Sequence, residues 1–263
     1  MLIRRLATSK SPIKQFWKQI EACTTALELE QVLVSPTSQS NLNDVNLAKA
    51  VTRLGELESS NHRVVDLMFD RASHVKFKPG ELMDLCLASS QLDRKIPEFV
   101  TKQIADHTAI AHFKPKFFSF ILYSYFELKQ TDARIMHALG WGLVTKPDLS
   151  MFGLDDFAII LDSLHAMGYA ELYLVGERIS QELLSRPLLP DDVDTADLTL
   201  ILTSLRAVGF ASLELLTKLQ PEIESRLDLF SPVELKLLLA AVEDIHPELD
   251  FLLTEEVARL GER

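Results

Sequence analysis

The sequence predicts an all-α chain, a right-handed α-solenoid of about six helix-turn-helix repeats of 35–41 residues. Three observations predict it. A Phe-x-Pro start recurs ahead of one apolar pattern: Phe77-Lys78-Pro79 before Leu82, Phe113-Lys114-Pro115 before Phe118, and Phe230-Ser231-Pro232 before Leu235. Six anchors, Leu47, Leu82, Phe118, Phe157, Leu198 and Leu235, follow one another at spacings of 35, 36, 39, 41 and 37 residues. A second apolar segment follows each anchor helix after a short turn. Self-similarity at such a period is the mark of stacked helical repeats, which bury a continuous core between neighbours.

Within each repeat the first helix is read from its columns. Three and four residues past the anchors stand Ala50-Val51, Leu85-Cys86, Ile121-Leu122, Ile160-Leu161, Ile201-Leu202 and Leu238-Leu239. Seven past come Leu54, Ser89, Tyr125, Leu164, Leu205 and Val242, and ten past come Leu57, Leu92, Leu128, Met167, Val208 and Ile245. Residues at i, i+3, i+4 and i+7 share one stripe of an α-helix. The column six past the anchor, Arg53, Ala88, Ser124, Ser163, Ser204 and Ala241, is small in five of six repeats, as close approach of a neighbouring helix requires. Upstream, Leu42, Phe77, Phe113, Phe152, Val193 and Phe230 are placed to fold back on each first turn as a hydrophobic staple, with proline tolerated at the first helical position. The second helices are read over Val64–Met68, Phe99–Ile104, Ile135–Leu139, Leu172–Ile179, Leu213–Leu219 and Leu249–Val257. The loop from Ser185 to Asp194 accounts for the 41-residue spacing. No strand-like alternation is long enough to compete.

The predicted organisation is a mitochondrial transit peptide over 1–20, an N-terminal helix and linker over 21–40, and the array over 41–263. The first segment carries Arg4, Arg5, Lys10, Lys14 and Lys18, three hydroxyl residues and no acid before Glu21, with Ile13, Phe16, Trp17 and Ile20 able to form an apolar face. The longest apolar run, Phe117 to Phe126, falls short of the roughly 20 residues that a membrane span needs. Cys23 and Cys86 lack metal or disulfide spacing. The net charge of −11 is uneven: residues 41–150 carry 14 cations and 13 carboxylates, residues 151–263 only 8 cations against 22 carboxylates. A polyanion is repelled by the second half, and a basic protein surface is attracted to it.

Seven histidines show no His-Glu-x-x-His pattern, no P-loop or nucleophile elbow occurs, and Gly140-Trp141-Gly142 lacks the rest of a dinucleotide fingerprint. The paired carboxylates Asp155-Asp156 and Asp191-Asp192 fall at a helix start and in a loop, where capping explains them. No catalytic residue, metal or cofactor is therefore assigned, and a non-enzyme is expected. Phe117, Phe118, Phe120, Tyr123, Tyr125 and Phe126 put aromatic surface on more than one side of a helix, with Lys114 and Lys116 beside them. Such faces stack single-stranded bases or bury against a second layer or a partner. If RNA is bound, Lys49, Arg53, Lys114, Lys116 and Tyr123 are the expected contacts.

Two stretches carry a family resemblance. IEACTTALELEQVL (Ile20–Leu33) with LNDVNLAKAVTRLGEL (Leu42–Leu57), and the repeated starts FKPGELMDLCLASSQL and FSPVELKLLLAAVEDI, are similar to the organellar helical-repeat proteins of the RAP-domain, FAST-kinase-like and octotricopeptide or heptatricopeptide group. The resemblance implies a protein of the mitochondrial matrix acting in organellar RNA metabolism, or a mitochondrial ribosome component or assembly factor, with organellar RNA or ribonucleoprotein proteins as partners. No segment resembles a RAP domain and no octotricopeptide tryptophan consensus occurs, so neither a nuclease-like part nor a base-reading code is expected. The alternative is a protein-binding scaffold, an accessory subunit of the respiratory chain or ATP synthase whose acidic half docks on a basic partner.

Overall fold

The computed structural model describes residues 12–35, 42–108, 110–187 and 194–261. Among them are fourteen α-helices, one 3₁₀ turn and no strand: α1 Pro12–Ala22, α2 Ala26–Val34, α3 Asp44–Glu56, α4 His62–Ala72, α5 Pro79–Gln91, α6 Glu98–Ala105, the turn Ile110–His112, α7 Pro115–Glu127, α8 Ala133–Val144, α9 Leu154–Ala166, α10 Leu172–Ser185, α11 Thr195–Ala207, α12 Leu213–Glu224, α13 Pro232–Val242 and α14 Pro247–Gly261. They form two compact units, residues 1–106 and 107–263. In the first, α3 packs against α5, with α1, α2 and α4 also on α3 and α6 on α5. In the second, α7, α9, α11 and α13 pack each on the next, while α8, α10 and α12 do the same in a second row.

The columns explain that packing. All six anchors, and all six residues three past them, are buried. So are those seven past, Ser89 included; its hydroxyl donates to Leu85 O at 2.7 Å. The small column is buried at Ala88, Ser124, Ser163, Ser204 and Ala241, where helices meet closely. Phe77, Phe113, Phe152 and Phe230 are buried at their helix entries, Leu42 is half-buried, and Val193 lies outside the described residues. Two expected second-helix contacts differ: Leu213 and Phe251 are exposed, and Leu215, Leu216, Leu219 and Ile223 in α12, with Leu249 and Leu253 in α14, fill the core instead.

The residue ten past each anchor is only half-buried at Leu57, Leu92, Leu128, Val208 and Ile245. In the first five repeats this position is the helix C-cap. The next residue takes a left-handed conformation, as Glu58, Asp93, Lys129, Gly168 and Gly209. The one after that closes a Schellman motif: Ser59 N donates to Leu54 O, Arg94 N to Ser89 O, Gln130 N to Tyr125 O, Tyr169 N to Leu164 O and Phe210 N to Leu205 O, at 2.8–3.0 Å. At the opposite end, a carboxylate one residue before the anchor reaches back to the N-cap amide in three repeats: Glu81 to Lys78 N (2.8 Å), Asp156 to Gly153 N (3.3 Å) and Glu234 to Ser231 N (2.6 Å). Of the expected 1–20 leader, residues 1–11 lie outside the described residues, while Phe16 and Ile20 of α1 are buried in the first unit's core. The 188–193 part of the expected Ser185–Asp194 loop, with Asp191 and Asp192, is likewise outside.

Candidate binding surfaces

In the first unit α1 and α3 flank a cleft of about 180 Å³ lined by Trp17, Glu21, Lys49, Thr52, Arg53 and Glu56. Lys49 and Arg53 lie one turn apart on α3, so both reach it. Lys49 Nζ sits 5.4 Å from the Trp17 ring centroid. Arg53 Nη2 donates to Cys23 O at 2.7 Å and Nη1 to Glu56 at 2.6 Å, while its Nε is buried without a hydrogen-bond partner among the described residues. Burial raises the pKa of Asp84 on the neighbouring α5, with Lys49 opposing that shift. Both expected cations are thus partly committed to neutralising and tying their own unit.

The other three expected residues fall on α7 in the second unit. Lys116, Phe120, Tyr123 and Glu127 share one stripe, and Lys114 is the exposed N-cap. Lys116 Nζ pairs with Asp155 and, at 3.1 Å, with Asp156 Oδ1, and it lies 5.7 Å from the Phe120 centroid. Burial pulls its pKa down, but the bonds to Asp155 and Asp156 outweigh it and hold the ammonium above its ordinary value. The hydroxyl of Ser119 also donates to Asp156, at 2.7 Å, so α7 grips the first turn of α9. Asp197 of α11 feels the same cluster: burial first, then Asp155 and Asp194, raise its pKa against the pull of Lys116. Tyr123 is 38% exposed, its pKa raised by burial and then by Glu127.

A set of side chains absent from the sequence reading ties the entries of α5, α7 and α9 and the C-terminal end of α10 from a later segment. Gln103 accepts from Phe77 N and donates to Val75 O, at 2.9 and 2.7 Å. Lys146 donates to Ala111 O and Phe113 O at 2.7 and 3.0 Å, Arg186 to Phe152 O at 2.6 Å, and Lys218 to Leu184 O and Arg186 O at 2.8 and 2.5 Å. Their spacing from the bonded carbonyls, 28 to 35 residues, follows the repeat, and this was the only signal that could have found them. In residues 151–263 Arg178, Arg226 and Arg259 also pair with Glu182, Glu222 and Glu256, which leaves few cations to offset the carboxylates outside.

The two glycines of the incomplete fingerprint are packing devices. A Cβ on Gly140 would lie 2.6 Å from Tyr169 Cε1, and one on Gly142 would overlap Ile110 Cγ2. Among the described residues no group of three side chains gathers as a metal site, and no helix is long and apolar enough to cross a membrane. Both cysteines are buried free thiols whose pKa burial raises. No protein-family model matches the chain, and no curated protein matches its sequence.

Proposed function

We propose that this chain is a non-catalytic right-handed α-solenoid of the mitochondrial matrix that works as a scaffold in RNA-associated assemblies, as a mitochondrial ribosome component or assembly factor. The observation that carries a scaffold role is the row-on-row packing of α7, α9, α11 and α13 beside α8, α10 and α12. The mitochondrial part rests on the basic, hydroxylated, acid-poor N-terminus, and the RNA part on the family resemblance. Any processing that spares the first unit's core would cut ahead of α1, since Phe16 and Ile20 are buried there.

The engagement of Lys116 by two carboxylates, and of Arg53 by Cys23 O and Glu56, favours RNA association through partner proteins, with direct contact confined to Lys49, Lys114 and Tyr123. Purification of the tagged protein from mitochondria with and without RNase tests the reading. Recovery of ribosomal proteins with rRNA is the expected result. An RNase-resistant set of respiratory-chain or ATP synthase subunits would replace it with the second reading, an accessory subunit, which the excess of carboxylates in residues 151–263 favours.

A further inference from the structure

In the second unit each first helix buries, one residue past its anchor, a small side chain against the next: Ser119 on α7, Ala158 on α9 and Thr199 on α11 are all buried. The same position on α13 is Lys236, and it is exposed. Around it Val233 and Leu237 are 66% and 47% exposed, and Ala240 completes an i, i+4, i+7 stripe. A surface helix normally turns polar residues outward, whereas α13 (PVELKLLLAAV) is apolar almost all round, the pattern of a helix covered on both sides. Its open face is therefore built like the interior faces of α7, α9 and α11. Between Asp228 and Leu260 stand eight carboxylates and two cations, one of which, Arg259, pairs with Glu256.

We infer that the open face of α13 is the docking site for a basic amphipathic helix of a partner protein. The apolar stripe receives that helix, and the excess of carboxylates over residues 228–260 favours a basic one. Lys236 occupies the place from which Ser119 grips Asp156, so it meets a carboxylate in the partner's first turn. A second copy of this chain would bring one carboxylate-rich end against another and is disfavoured. The inference rests on the scaffold reading and names the chemistry of one partner.

The face that α13 turns to α11 is the face that a following helix would turn to α13, which supplies the probe. A labelled peptide of residues 231–243 is made with lysine at the Val233, Leu237 and Ala240 positions, and a control with glutamate there. Fluorescence anisotropy at low salt should show the lysine peptide binding the full chain at least about tenfold more tightly than the control, a gap that narrows as salt screens it. The double variant V233D/L237D should weaken the lysine peptide by about tenfold or more. Both positions are exposed, so its thermal melt should match that of the unsubstituted chain, and K236E should weaken the peptide as well. The inference is overturned if the lysine peptide does not bind, if both peptides bind equally at low salt, or if V233D/L237D binds unchanged. A dimer by light scattering that V233D/L237D dissociates would equally overturn it, by making the occupant a second copy. The titration reads the α13 face alone, so its failure is distinct from a failed mitochondrial purification.

Discussion

Gly142→Ala is a sharp test of how tightly the second unit is packed. In an open helix interior this change stabilises by about 1 kcal/mol, because alanine restricts the unfolded chain and favours the helix. Here the new methyl overlaps Ile110 Cγ2, stands 3.3 Å from Ile110 Cβ and 3.5 Å from Phe118 Cε1. Ile110 and Phe118 are both buried, and a β-branched side chain has little rotamer freedom with which to retreat. Overpacking of this kind costs about 1–3 kcal/mol, and the upper end applies where the obstacle is stiff. The net expectation is a loss of about 2 kcal/mol, or roughly 4–8 °C in the midpoint of a unit of this size. Thermal and urea unfolding followed by circular dichroism measures it. In a double-mutant cycle Ile110→Ala, which deletes the clashing methyl, should recover about 3 kcal/mol relative to additivity, the whole overpacking cost. A raised midpoint for Gly142→Ala, or an additive cycle, would refute the close packing of α8 on the Ile110–His112 turn.

The remaining expectations are read in the same unfolding assays or by RNA titration. Lys129→Gly should stabilise by about 1 kcal/mol, since a side chain at φ 50 is strained where glycine is not, and Gly168→Ala should destabilise by a similar amount; the opposite signs would count against the Schellman turns. Asp197 has its folded-state pKa raised, so the stability it gives is complete below the ordinary carboxylate range and is lost as pH rises through the raised value. Asp197→Asn should accordingly raise the urea midpoint at pH 7 and leave it unchanged well below pH 4, and a gain equal at both pH values would contradict the burial argument. His246 accepts from Leu249 N at the start of α14 and lies 3.3 Å from Thr217 Oγ1, so His246→Ala should cost about 1–2 kcal/mol as a lost cap. A melt unchanged in that variant would show the cap to be idle. Lys116→Glu should lower the midpoint with or without RNA, by adding a carboxylate beside Asp155 and Asp156, whereas Lys114→Glu should leave the fold intact; only the second cleanly reports RNA contact by its effect on salt-dependent affinity.

The helices and their buried faces were legible because burial imposes a period: Leu82, Leu85, Cys86 and Ser89 repeat at helical spacing, and any neighbour that covers one covers the rest. The turns were not. Glycine marks the left-handed residue only at Gly168 and Gly209 and aspartate weakly at Asp93, while Glu58 and Lys129 adopt the same conformation with nothing in their side chains to announce it. Backbone clamps such as Gln103, Lys146, Arg186 and Lys218 differ in residue type, and what recurs is a bond to the backbone of an earlier helix entry or, for Lys218, helix end. Backbone carbonyls leave no trace in sequence.

The same reasoning separates the two kinds of cation in the candidate surface. A lysine that faces solvent and one that closes a repeat are identical in sequence, and only position tells them apart. Lys116 lies where α7 meets the first turn of α9, so its charge is spent on Asp155 and Asp156, and Lys146 and Lys218 are spent on carbonyls. Counting basic residues therefore overstates the number of cations free to contact a polyanion, and most strongly in residues 151–263, where few cations stand against many carboxylates. What that segment carries is an excess of carboxylates together with an exposed apolar stripe on α13. A surface of that composition repels a polyanion and suits a basic helix, which is why the proposed link to RNA runs through protein contact.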